Sequence, residues 1–123
     1  MQYFKYEEFD SPDLPGSGSE FMCPDFLELL DFARGQSGIE FRITSGYRSR
    51  EHNAKVGGKP ESSHLVGKAA DIVCKNSRDR FIIVSTLLDA GFTRIGIAKT
   101  FIHVDSDSEA KGGNKSGKVI WTY

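Results

Sequence analysis

The chain lacks most of what would commit it to a membrane, a nucleic acid or an oxidising compartment. No apolar run comes near the roughly 20 residues that a membrane-spanning helix needs, and neither sign of charge dominates. Sixteen Lys and Arg stand against 17 Asp and Glu, for a formal net charge of -1. Bulk electrostatics therefore give no reason to expect nucleic acid or a membrane as partner. Cysteine is scarce: Cys23 and Cys74 lie far apart and form no CxxC pair. They read as isolated thiols in a reducing compartment, the alternatives being a disulfide or soft-metal ligands. The first residues, Met1 to Phe9, lack the basic start and apolar stretch of a secretory signal. The expectation is a protein made in the cytoplasm without a signal peptide. Repeats and low-complexity linkers are also missing. The 123 residues are expected to form one domain over 1–123, long enough to bury a core without staples.

What is present is a run of alternating helix and strand signals. Tyr3, Phe4, Tyr6 and Phe9 alternate with polar residues, as an edge strand or a short packed segment would. Ser11 to Glu20, with two prolines and two glycines, reads as a loop. Pro24 sits at the favoured first position of a helix whose apolar face is Phe26, Leu27, Leu29, Leu30 and Ala33. That helix is expected to run to about Arg34 and to be ended by Gly35 and Gly38. Residues 39–44 alternate with period two, as in a half-buried strand. Ser49 is a good N-cap for a short helix, residues 59–67 form a loop, and 68–74 form a strand. Ser77 is expected to cap a second long helix with Phe81, Ile82, Val84, Leu87 and Leu88 inward, stopped by Gly91. Residues 93–98 and 101–105 read as a hairpin, 111–117 as a flexible loop, and Val119 to Tyr123 as a strand that closes the sheet. The fold class expected is α+β, a small antiparallel sheet packed against two main helices.

The chemistry concentrates in two segments. In Ser62-Ser-His64-Leu-Val-Gly67-Lys-Ala69-Ala-Asp71 a histidine sits in a loop and an aspartate in the apolar strand that follows. A carboxylate among Ala69, Ala70, Ile72 and Val73 is costly to bury unpaired, and a metal ion would compensate. The alternative is that Asp71 lies on an exposed strand face and His64 in an ordinary loop. In Phe101-Ile-His103-Val-Asp105 the two polar residues are two apart and share one strand face. If His64, Asp71 and His103 converge, they supply the three protein ligands typical of a catalytic zinc site, which keeps its fourth position open. Asp105 would then orient His103 or act as general base. Arg48 could hold a carboxylate bidentately, or simply be solvated. Ser62 could donate to substrate, or make turn contacts. His52 reads as a surface residue, and Asp107 and Glu109 as a solvated acidic run.

These segments resemble the motifs of the D-Ala-D-Ala carboxypeptidase and murein endopeptidase family, which shares its fold with the hedgehog signalling domain. Ser62-x-His64-x-x-Gly67-x-Ala69-x-Asp71 is similar to the family's first zinc motif, and Phe101-Ile-His103-Val-Asp105 to its last. Ser45-Gly-Tyr-Arg48-Ser49 resembles the upstream arginine motif, and Glu51-His-Asn-Ala-Lys-Val-Gly-Gly the segment between. Four motifs in order over about residues 40–105 make the resemblance specific. It implies one zinc ion held by His64, Asp71 and His103, with Arg48 on a substrate carboxylate and Ser62 on a neighbouring group. Several relatives place a catalytic Glu or Asp three residues before the last histidine. Here that position is Thr100, which leaves Asp105 as the candidate base.

The function expected is a zinc metallopeptidase that hydrolyses peptidoglycan stem peptides at or near a D-amino acid. Small size and a missing signal suit a monomeric phage or prophage lysis protein, an endolysin acting on the cell wall after release, or a virion-associated one. The rival expectation is a non-catalytic, zinc-containing module that binds cell-wall peptides on the same fold.

Overall fold

In the computed structural model, residues 1–107 and 117–123 are described; the glycine-rich segment expected as a flexible loop lies outside them except for Gly117. The core is built by two helices. α2, after a short α1 (Ser17–Phe21), spans Pro24–Ser37, starts on Pro24 and buries Phe26, Leu27, Leu30 and Ala33. It runs past the end expected at Arg34. Gly35 lies inside it, where a Cβ would press into the Tyr3 ring, and Gly38 ends it at φ 72°. α3 (Arg50–Lys55) is capped as expected by Ser49, whose side chain accepts from the His52 N–H. α4 (Ser77–Ala90) is capped by Asn76 rather than Ser77, through a 2.8 Å bond from the Asp79 N–H to Asn76 Oδ1.

The inward face of α4 differs from the expected one. Ile83 and Leu87 are its fully buried residues, while Phe81 is 73% exposed and Leu88 also faces outward. Apolar residues occupy more than one side of this helix, so periodicity alone did not select the side that packs on α2 and the sheet.

Five strands form one sheet in the order β1 (Ile43–Ser45), β2 (Ala69–Val73), β4 (Phe101–Asp105), β3 (Arg94–Ile97), β5 (Val119–Thr122). All pairs are antiparallel except β3 with β5, which is parallel. The expected α+β class holds, with a mostly rather than wholly antiparallel sheet. The strand expected over 39–44 keeps only its end, with a register irregularity between Ile43 and Ser45. The N-terminal segment forms a 3-10 turn at Tyr6–Phe9 that buries Phe9, and the loop before β2 contains another at Ser63–Val66. The N-terminal segment is thus the short packed alternative and not an edge strand, and the expected loops 11–20 and 59–67 each carry a short helix, α1 and the turn at Ser63–Val66.

Strand alternation divides the sheet into two chemical faces. Ala70, Ile72, Ile95, Ile102 and Val104 are all 0% exposed and join Phe26, Leu30, Ile83 and Leu87 in the core. The opposite face carries a row of register partners across all five strands: Ser45, Asp71, His103, Gly96 and Trp121. None of the described helices is long and apolar enough to cross a membrane.

Candidate metal centre

His64, Asp71 and His103 converge: one ligand atom from each lies within 4.8 Å of the other two. Asp71 and His103 are direct register partners on β2 and β4, so the sheet itself brings them together. His64 comes from the turn before β2. Ser62 caps that turn by accepting from the His64 N–H at 3.2 Å, and Gly67 ends it at φ 71°. A Cβ on Gly67 would run into the backbone of Phe21 and Met22, so the glycine of the motif answers both a left-handed conformation and a close backbone approach.

The imidazoles are aimed. His64 Nδ1 donates to the Gly46 carbonyl at 2.7 Å, which turns Nε2 toward Asp71 Oδ1, 3.3 Å away. His103 Nδ1 lies 3.0 Å from the same Asp71 oxygen, and its Nε2 lies 2.8 Å from Asp105 Oδ2. Two imidazole nitrogens thus meet one carboxylate oxygen, and the outer nitrogen of each ring is held by an oxygen, the arrangement that fixes tautomer and ring plane in histidine metal sites. All three residues are buried. The donor set suits a divalent ion such as zinc.

Charge is balanced within this cluster. Burial alone would raise the Asp71 carboxyl, but hydrogen bonds from His103 and His64 and their charges hold it well below the usual carboxylate range. Burial would likewise lower His103, yet the hydrogen bonds to Asp105 and Asp71 outweigh it and raise this imidazole to about 9. Asp105 is kept low, against its own burial, by His103 and by Arg94, whose Nε donates to Oδ1 at 2.6 Å.

The cluster lies in an open cleft of about 650 Å³ that Arg48, Glu61, Ser62 and Trp121 also line. That volume is within the range of small-ligand sites. Arg48 is fixed by Ser45 Oγ at 2.9 Å, Asn53 Oδ1 at 3.3 Å and Asp71 Oδ2 at 3.5 Å. Asp105 is on the His103 face of β4, as the spacing requires, but both its oxygens are engaged and it holds the His103 nitrogen remote from Asp71. Thr100 is exposed in the β3–β4 turn and is not part of the cleft lining. Neither is His52, and both cysteines are free. Sequence reasoning missed Arg94, Glu61, Trp121 and Tyr123. Arg94 was legible only as the polar start of a hairpin strand, and Trp121 only as one apolar residue of a closing strand.

A buried His–Asp–His cluster at the floor of an open cleft is the donor set and setting that metal-dependent hydrolases use to hold an ion beside a substrate. The sequence pattern of the family described as Peptidase M15 matches residues 2–105. The chain belongs to that family of zinc-dependent metallopeptidases. No match is found among curated proteins.

Proposed function

We propose that this protein is a zinc peptidase that hydrolyses peptidoglycan stem peptides at or near a D-amino acid, as a D-Ala-D-Ala carboxypeptidase or murein endopeptidase. The observation that carries the reading is the convergence of His64, Asp71 and His103 within 4.8 Å, beside Arg48 in one cleft. A zinc ion held by these three residues supplies a Lewis acid for the scissile carbonyl and for water. Arg48 anchors a substrate carboxylate. Three side-chain acceptors already hold its guanidinium in place, so little rotamer freedom is lost on binding. Ser62 keeps its hydroxyl proton available to a substrate oxygen while its oxygen caps the turn.

Asp105 is the candidate base from sequence. Its bonds to Arg94 and His103 favour the orienting role instead, and Glu61 is the cleft-lining carboxylate exposed to solvent. We assign Asp105 to holding His103 and Glu61 to proton transfer. The chain acts as a monomer in this reading, on the cell wall, as a phage-type lysis protein would.

Mass spectrometry of muropeptides after incubation with the zinc-loaded protein tests the reading. A new peptide end next to a D-amino acid is expected. Stoichiometric zinc with intact muropeptides would instead establish the non-catalytic cell-wall binding module, the reading that Thr100 favours by leaving no carboxylate at that position.

A further inference from the structure

The strand that forms one wall of the cleft lies outside the part of the chain that the family pattern matches. β5 (Val119–Thr122) follows residue 105, where that match ends. It nevertheless pairs in register with β3, placing Trp121 beside Gly96 and Gly96 beside His103. With strands spaced about 4.8 Å apart, Trp121 starts two strands away from His103. Gly96 lets it cross that gap. A Cβ at position 96 would sit 2.6 Å from the indole Cε2 and Nε1, so the ring lies over the backbone of the intervening strand. Its centroid comes within 5.5 Å of the His103 ring. Arg94 covers part of the ring, with Cζ 5.6 Å from the centroid, and Tyr123 meets it edge-on at 6.5 Å. Trp121 is only half-buried and lines the cleft.

The cleft is therefore asymmetric. At the β1 end stands the Arg48 guanidinium, in the middle the three ligands, and beyond them the indole of Trp121. A substrate bound by its carboxylate at Arg48 and extended over the three ligands would meet the indole beyond them. From this placement, and resting on the peptidase reading above, we infer that Trp121 is a specificity-determining residue that receives the alkyl side chain of the residue supplying the scissile carbonyl. An indole face held on a glycine shelf offers a flat apolar contact. It rewards a methyl or longer alkyl group over hydrogen.

Trp121 is the single tryptophan of the chain, so its fluorescence reports this subsite directly. Muropeptide analysis identifies the bond cut, and two synthetic peptides spanning that bond are then compared, one with its native alkyl residue on the acyl side and one with glycine there. The wild-type protein is expected to prefer the alkyl peptide by about tenfold in kcat/KM. Trp121→Ala should abolish most of that preference through KM while zinc content stays stoichiometric, and Trp121→Phe should restore most of it. Peptide titrated into the zinc-loaded protein should shift tryptophan emission saturably.

An unchanged alkyl preference in Trp121→Ala, with cleavage intact, overturns this inference and leaves the peptidase reading standing. Absence of any cleavage of muropeptides by the zinc-loaded protein overturns the peptidase reading, and this inference falls with it, so the two failures are told apart by whether a bond is cut. A purely structural Trp121 would lower stability and zinc content together without altering the preference between the two peptides, and that result also overturns the assignment.

Discussion

At the scale of single residues, the site depends on side chains that act through others. Asp105 is the clearest case. If it orients His103, Asp105→Asn should weaken zinc binding by about 10–100-fold, and excess zinc should recover much of the activity. A general base would behave oppositely: zinc would stay bound and kcat would fall by about 10²–10⁴-fold. Zinc titration followed by peptide cleavage at saturating metal separates the two, and Glu61→Gln in the same assay should show the second pattern. Gly67 is a different kind of dependence. It takes φ 71° and its missing Cβ admits the backbone of Phe21 and Met22. Gly67→Ala should cost about 2 kcal/mol or more in urea unfolding, since a left-handed alanine alone costs about 1–2 kcal/mol. Zinc affinity should fall with it, because Gly67 ends the turn that carries His64.

At the scale of elements, β2 and β4 carry two of the three candidate ligands and the two long helices carry the stability. Ala70, Ile72, Ile102 and Val104 face the core while Asp71, His103 and Asp105 face the cleft. The same strands thus bury apolar surface on one side and build a charged cluster on the other. α4 bears on the cluster by fixing the sheet beneath it, while the Cys23 N–H at the start of α2 also donates to the Gly67 carbonyl at 2.8 Å. Asn76→Ala removes the cap of α4 and should cost about 1 kcal/mol in urea unfolding, with zinc affinity at native conditions unchanged. A large loss of metal binding in that variant would show that α4 is coupled to the site more tightly than its packing indicates.

At the scale of the whole molecule, the buried cluster ties folding to protons and metal. In metal-free protein His103 is raised to about 9, above the roughly 6.5 of an unfolded histidine. Its contribution to stability is complete below about pH 6.5 and is lost as pH rises through 9. Asp71 and Asp105 are lowered, so their contribution is present above about pH 4 and fades as the solution is acidified further. Thermal unfolding of chelator-treated protein should therefore show greatest stability between about pH 4 and 6.5. Zinc binding requires His103 without its proton, so affinity should rise up to tenfold per pH unit until about pH 9. Saturating zinc should raise the melting temperature most at the alkaline end.

The sequence by itself determined the α+β class, the two long helices and the hairpin, and its spacing put Asp71 and His103 on strands as candidates to meet His64. These rest on local periodicity, on caps such as Ser49, and on spacings within single strands. The tertiary structure alone decided that Ile83 and not Phe81 turns inward, and that β5 lies parallel to β3 at the edge. It also decided that Arg94 engages Asp105 and that Trp121 reaches His103 across Gly96. Each of these depends on which strands become neighbours and which face meets the helices. Such pairings join residues distant in the chain, and no local pattern encodes them.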